Sequence, residues 1–222
     1  MALVSTETRI EADINFSQIT MHNEGKFNPD SLGEFNNALD SILVDESIQC
    51  LVITGEEKTF AQGFDLNYLG SEKPDTVLAF VETSMVMVGR LLRSPIPVIS
   101  AVNGHAFGLG AMLVLASDYA VMREDRGFFC LPEIDLGMNL VPSMNALVKD
   151  KLSAKALREL LLTGKRVAAP EAVEFGFVDQ SCALEQLIST ALSIAQPMLG
   201  KDRNALSGLK TGINKDILSF IQ

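Results

Sequence analysis

Apolar residues stand mostly two apart over residues 9–21, at Ile10, Ala12, Ile14, Phe16, Ile19 and Met21. That spacing predicts one or two N-terminal strands. The period then changes. Asn28 followed by Pro29 fits a helix N-cap with proline at the first helical position. Leu32, Phe35, Leu39, Ile42 and Leu43 recur at helical spacing behind it. QCLVIT at 49–54 predicts a short buried strand closed by Gly55. Residues 75–92 carry Val77, Phe80, Val81, Met85, Val88, Leu91 and Leu92 on one stripe, which predicts a long amphipathic helix.

A β-branched run from Pro97 to Val102 predicts the next strand. Residues 109–117 are apolar on nearly every face and predict a helix buried all round. Another strand is expected after Asp118, a short one at 127–130, and a loop at 131–137. Ser153 fits the cap of a helix over 154–163 that ends at Gly164. A shorter helix runs from Ala169 to Gly176, followed by an extended piece at 177–179. Residues 184–199 predict a helix kinked near Pro197. Helical signals over 201–222 are weaker and broken by Gly208 and Gly212. Strand, strand and helix recur without a sequence repeat. The expected class is α/β, a core of ββα units with helices at the C-terminal end.

The junction NGHAFGLG at 103–110 carries candidate chemistry. Gly108 and Gly110 lack a Cβ, so a ligand can approach the backbone. The first N–H groups of the following helix have no intrahelical partner and lie at the positive end of its dipole. Beside a cleft, such a helix start can hold a developing oxyanion. Named alternatives fail. Ala106 stands where a hydrolase elbow needs serine, no glycine lies three residues after Gly110, and no phosphate-binding G-x-x-x-x-G-K-[ST] occurs.

Composition narrows the partners. The 222 residues suffice for one sizeable core, and 47% of them are hydrophobic. A net charge of −10 argues against nucleic acid or an anionic membrane as main partner. Three cysteines, Cys50, Cys130 and Cys182, form no CxxC pair, so reduced buried thiols are expected, and no metal site. The start MALVSTETRIEAD has no apolar segment of the secretory kind, and the last residues are not a peroxisomal S-K-L. The expectation is a cytoplasmic protein with no membrane span.

Three segments stand in fixed order: FAQGFDL at 60–66, NGHAFGLG with its helix to SDYAVM at 103–122, and LPEIDLG at 131–137. With TGKRVAAPEAVEFGFVD at 163–179, this set resembles the crotonase superfamily, the enoyl-CoA hydratase/isomerase family. NPDSL at 28–32 and MREDRG at 122–127 make it most similar to short Δ3,Δ2-enoyl-CoA isomerases. The resemblance implies a spiral of ββα units with two roughly perpendicular sheets over residues 1–180. A C-terminal helical segment, 181–222, would serve oligomerisation, giving a homotrimer or a dimer of trimers. This segment is short relative to the family. The implied ligand is an acyl-CoA substrate, with no separate cofactor.

The resemblance also implies roles residue by residue. The backbone N–H groups of Phe64 and Leu109 would polarise the thioester carbonyl. Of the two glutamates that hydratases use to position water, the first position holds Met112 and the second holds Glu133. One carboxylate suits proton transfer from C2 to C4 of a 3-enoyl thioester better than addition of water. Met112, Met138 and Leu140, with Met144, would line an apolar pocket around Glu133. Lys58 is the first candidate for a CoA phosphate, then Lys165 and Arg166. Asp65 is expected to brace the turn behind Phe64, and Asp118 to tie the end of the buried helix. Asp135, His105 and His22 are read as structural.

Overall fold

The computed structural model describes residues 2–221. A hairpin opens the chain: β1 (Val4–Glu11) and β2 (Ile14–Met21) pair antiparallel. β3 (Lys26–Phe27) leads into α1 (Pro29–Val44), where Asn28 and Ser31 form a reciprocal capping box. Three turns of one pattern follow. The first is β4 (Cys50–Gly55), β5 (Thr59–Ala61) with the short β6 (Gly63–Phe64), then α2 (Leu66–Ser71) and α3 (Pro74–Leu92). The second is β7 (Val98–Val102), β8 (His105–Phe107) and α4 (Leu109–Ala116). The third is β9 (Tyr119–Arg123), β10 (Phe129–Cys130) and α5 (Pro142–Lys151). In each turn the first strand joins a large sheet and the next joins a small one.

The remaining elements are α6 (Ala154–Thr163), α7 (Ala169–Phe175), β11 (Gln180–Cys182), α8 (Leu187–Ala195), α9 (Arg203–Ile213) and α10 (Lys215–Leu218). The large sheet has the order β1-β2-β4-β7-β9-β11 and is parallel from β2 onward. The small sheet, β10-β8-β5, is parallel throughout. β3 and β6 form a two-residue ladder. The α/β class of ββα units expected from the pattern, and the spiral that the resemblance implies, are the observed architecture.

Both faces of the large sheet are covered. Leu51 and Ile53 of β4 join the main core with α1, α3 and α4. Cys50 and Val52, pointing the other way, pack with Ile99, Val121 and the apolar side of α8. Buried on both faces, β4 and β7 read as near-continuous apolar runs, interrupted at Thr54 and Ser100, rather than alternating ones. Every residue of α4 is buried. Each fully buried Leu or Val there contributes about 1.5–3 kcal/mol of transfer free energy. The end of α4 is tied as expected: Asp118 Oδ2 accepts from Val98 N at 2.8 Å, and also from Lys210 Nζ of α9 at 2.7 Å.

Several elements differ from the sequence reading. α5 was not anticipated, although Pro142 sits at its first turn and Met144, Leu147 and Val148 form its buried stripe. The strand after α7 begins at Gln180 rather than Phe177. The boundary expected at residue 180 thus falls inside β11, which pairs with β9. α8 ends at Ala195, before Pro197. α9 runs through Gly208 and Gly212 without a break, capped by the Asp202 side chain on Ala205 N. Tertiary contact outweighs the glycine cost of about 1 kcal/mol each.

Candidate active site

Three connections from the small sheet converge at the C-terminal ends of β5, β8 and β10. The first follows β5. Gln62 N donates to Glu24 O and Asp65 N donates to Phe27 O, so the turn between them is pinned on both sides. Asp65 caps α2, accepting from Asn67 N at 3.0 Å and Tyr68 N at 3.4 Å, which is the bracing role expected of it. Gly63 inside this turn has φ +86°, a left-handed conformation that favours glycine. A Cβ on Gly63 would lie 2.7 Å from Phe107 O and 2.9 Å from Leu109 N. Only a residue without one lets the Phe64 segment approach the start of α4 this closely.

The second connection is Gly108, with φ +51° and ψ −120°, which turns β8 into α4. Its own N–H donates to Cys130 O at 3.1 Å, and its carbonyl accepts from Met112 N. Among the described residues, the N–H of Leu109 has no acceptor, as expected for a first helical position. Gly110 serves packing instead of ligand approach, since a Cβ there would lie 2.2 Å from Ala61 O.

The third connection follows β10. Asp135 N and Leu136 N donate to Pro132 O, and Met138 N donates to Glu133 O at 2.9 Å. These bonds close the loop tightly and fix where Glu133 starts. Its side chain turns inward. Oε2 is buried with no hydrogen-bond partner, and Oε1 lies 4.0 Å from where a Cβ of Gly108 would be. Burial pushes the Glu133 carboxyl above the usual carboxylate range, against a smaller pull from its own backbone N–H.

These connections border a cavity of about 420 Å³, within the range of small-molecule sites. Phe64, Gly108, Glu133, Met138, Leu140 and Met144 all line it. Among the described residues, Glu133 is the sole ionisable side chain on its wall. The opposite wall comes from α2 and α3 through Leu66, Leu69, Val77 and Val81, which the sequence reading missed. Four of the protein's exposed large apolar residues, Leu66, Leu78, Leu136 and Met138, also line this cavity. Apolar side chains in excess of what a core stripe needs were the available signal. Gln62 and Asn139 add polar, uncharged groups.

Two expected site residues lie elsewhere. Met112 contributes nothing to the cavity wall; it is fully buried in the core, because α4 has no outward face. Lys58 borders a separate hollow of about 380 Å³ with His105, Arg126 and Phe128, at the other end of the small sheet. Of the secondary candidates, Lys165 pairs with Glu171 at 2.6 Å, and Arg166 stacks on the Phe107 ring at 5.5 Å. His105 packs against Phe107 and Phe128, with ring centroids 5.2 and 5.7 Å away. Burial, with Arg166 and Arg126 nearby, holds it below the usual histidine range. His22 bonds Ser5 Oγ and Glu56, and the Asp135 carboxylate abuts Gly164. The three cysteines are buried and unpaired.

The sequence matches the enoyl-CoA hydratase/isomerase family over residues 11–219. The chain belongs to that family. All four matched segments and the cavity wall fall inside the span. Among curated relatives, the chain is 35% identical over 176 residues to the peroxisomal enoyl-CoA delta isomerase 2 of Arabidopsis thaliana, covering 76% of this chain and 73% of the relative. It is 34% identical over 170 residues to a carnitinyl-CoA dehydratase of Salmonella paratyphi A, covering 75% and 63%. Among solved structures, a probable enoyl-CoA hydratase from Mycobacterium tuberculosis H37Rv superposes with a TM-score of 0.88 at 27% identity, covering 99% of this chain and 91% of that one. The chain is thus an enoyl-CoA isomerase-like enzyme with the crotonase fold. No helix among the described residues is long and apolar enough to cross a membrane.

Proposed function

We propose that the protein moves the double bond of a 3-enoyl-CoA thioester to the 2-trans position. One observation carries this reading: a single carboxylate, Glu133, stands in an otherwise apolar or uncharged cavity. The Glu133 carboxylate takes a proton from C2. The electron pair moves toward the thioester, and negative charge builds on its oxygen. The N–H groups of Phe64 and Leu109 receive that oxygen; losing one such donor typically costs ~3 kcal/mol of transition-state stabilisation. Protonated Glu133 then returns the proton to C4 as the double bond closes between C2 and C3. Hydration would need a water held by a second carboxylate, and the cavity wall offers none. The unpartnered Oε2 fits a group whose partner is the substrate's own proton.

The acyl-CoA substrate, fatty-acid β-oxidation as the pathway, a trimeric assembly and a cytoplasmic location belong to this same reading. Lys58 as a phosphate ligand does not: it borders a hollow that shares no lining residue with the cavity at Glu133.

The test is absorbance of the conjugated 2-enoyl thioester, followed from 3-enoyl-CoA with wild type and Glu133→Gln. Conjugation in wild type and its loss in the variant are expected. Accumulation of a hydroxyacyl-CoA or free CoA as the primary product would overturn the assignment.

A further inference from the structure

Behind the cavity at Glu133 lies a second hollow of about 530 Å³. Its wall is mixed: Met85, Val86, Phe220 and Ile221 supply apolar surface, and Glu82, Thr83 and two serines supply polar surface at the rim. Both hollows lie against α3, on different sides of it: Val77, Leu78 and Val81 face the first, and Ala79, Glu82, Thr83 and Val86, interleaved with them, face the second. Among the described residues they share a single lining residue, Val141.

Val141 is held in place by its backbone. It is the N-cap of α5, with φ −68° and ψ 161°, and it precedes Pro142. A residue before proline is confined to this extended region, so the side chain has a fixed base. Val141 O also accepts from Asn145 N at 3.0 Å, the first bond of the helix. A side chain on so fixed a backbone makes a defined partition.

We infer that Val141 is the partition that sets acyl-chain length, closing the Glu133 cavity to long tails and separating it from a hollow able to take them. This rests on the acyl-CoA reading above and names the substrate class within it: 3-enoyl thioesters of short to medium chain. The tail enters from the carbonyl end at Leu109 and Phe64, passes Glu133, and meets Val141 after the apolar wall of α3. Cutting Val141 back to alanine leaves the backbone in its allowed region and joins the two spaces. An added or missing methylene in an apolar pocket changes discrimination by about 10–200-fold, so opening a path for several has a measurable effect.

The experiment compares 3-hexenoyl-CoA with 3-dodecenoyl-CoA. The ratio of kcat/KM, long over short, is expected to rise by at least about tenfold in Val141→Ala, mainly through a lower KM for the long substrate. Val86→Phe, which narrows only the second hollow, is expected to leave hexenoyl turnover unchanged in the wild-type background. In the Val141→Ala background it is expected to cancel the gain. In parallel, calorimetry with saturated hexanoyl-CoA and lauroyl-CoA reads the same preference without turnover. If wild type binds both esters but conjugates neither, the isomerase reading fails while the calorimetric ratio still decides the role of Val141. If the ratio is unmoved in folded Val141→Ala, in turnover or in binding, the partition is refuted. If no CoA ester binds, both readings fall.

Discussion

Replacing Gly63 by alanine separates the two demands placed on that residue. The first is conformational: φ is +86°, where a Cβ costs about 1–2 kcal/mol. The second is steric and local to the chemistry, because the new methyl would lie 2.7 Å from Phe107 O and 2.9 Å from Leu109 N. Relieving that overlap must move the Phe64 segment away from α4, adding about 1–3 kcal/mol of overpacking strain. Gly176 supplies the control. Its φ is +80° and a Cβ there meets nothing within 4 Å. Gly176→Ala should therefore lose only the conformational part, about 1–2 kcal/mol in urea unfolding, with activity retained. Gly63→Ala should lose roughly 2–5 kcal/mol, the sum of both parts. It should also lose about 100–1,000-fold in kcat, the usual effect of displacing one oxyanion donor. The assay is the conjugation rate of folded protein, with circular dichroism and urea titration alongside. A Gly63→Ala protein that folds and turns over within threefold of Gly176→Ala would refute the reasoning, since the Phe64 and Leu109 amides would then not need their close approach.

Burial raises the Glu133 carboxyl, so the folded state favours its protonated form. The stability this brings is present below the unfolded-state value and is lost as pH rises through the raised folded-state value. Glu133→Gln is therefore expected to melt above wild type at pH 7, with the gap shrinking in acid; equal melting temperatures at pH 7 would argue against a buried charge. Catalysis follows the same group in the opposite sense, with kcat/KM falling as pH drops through its raised value. Lys210 is 5% exposed and pairs with Asp118 at 2.7 Å. Lys210→Met leaves Asp118 uncompensated and should cost about 3–5 kcal/mol, whereas adding Asp118→Asn should recover much of that loss. A double variant no more stable than the single one would show that the pair does not act as a unit.

Much of the site was readable before any fold was known. The positions of Gly108 and Gly110 marked where backbone had to come close to something; Gly108 has a positive φ, and Gly110 lets α4 approach Ala61. The unbroken apolar face of α4 announced a helix without an exposed side. The same feature misled at Met112: in a helix buried all round, spacing cannot say which side chain borders a cavity, and this one is core. α5 was missed because Met144, Leu147 and Val148 form only one short stripe behind a loop rich in apolar residues. Lys58 lies close to the site in sequence and away from its wall in space, because β5 carries the chain from one end of the small sheet to the other.

The sequence alone determined most of the local conformations, α5 and the unbroken α9 excepted: period, caps and glycine positions act over a few residues, and they are written there. It also determined the inventory of chemistry, one glutamate behind a proline and two amides beside glycines. Only the tertiary structure decided which of these meet. The distance from Gly63 to Leu109 N depends on β5 and β8 lying side by side, and the isolation of Glu133 depends on α2 and α3 covering it. Such contacts join residues tens of positions apart, and their geometry comes from packing, which no single stretch of sequence contains.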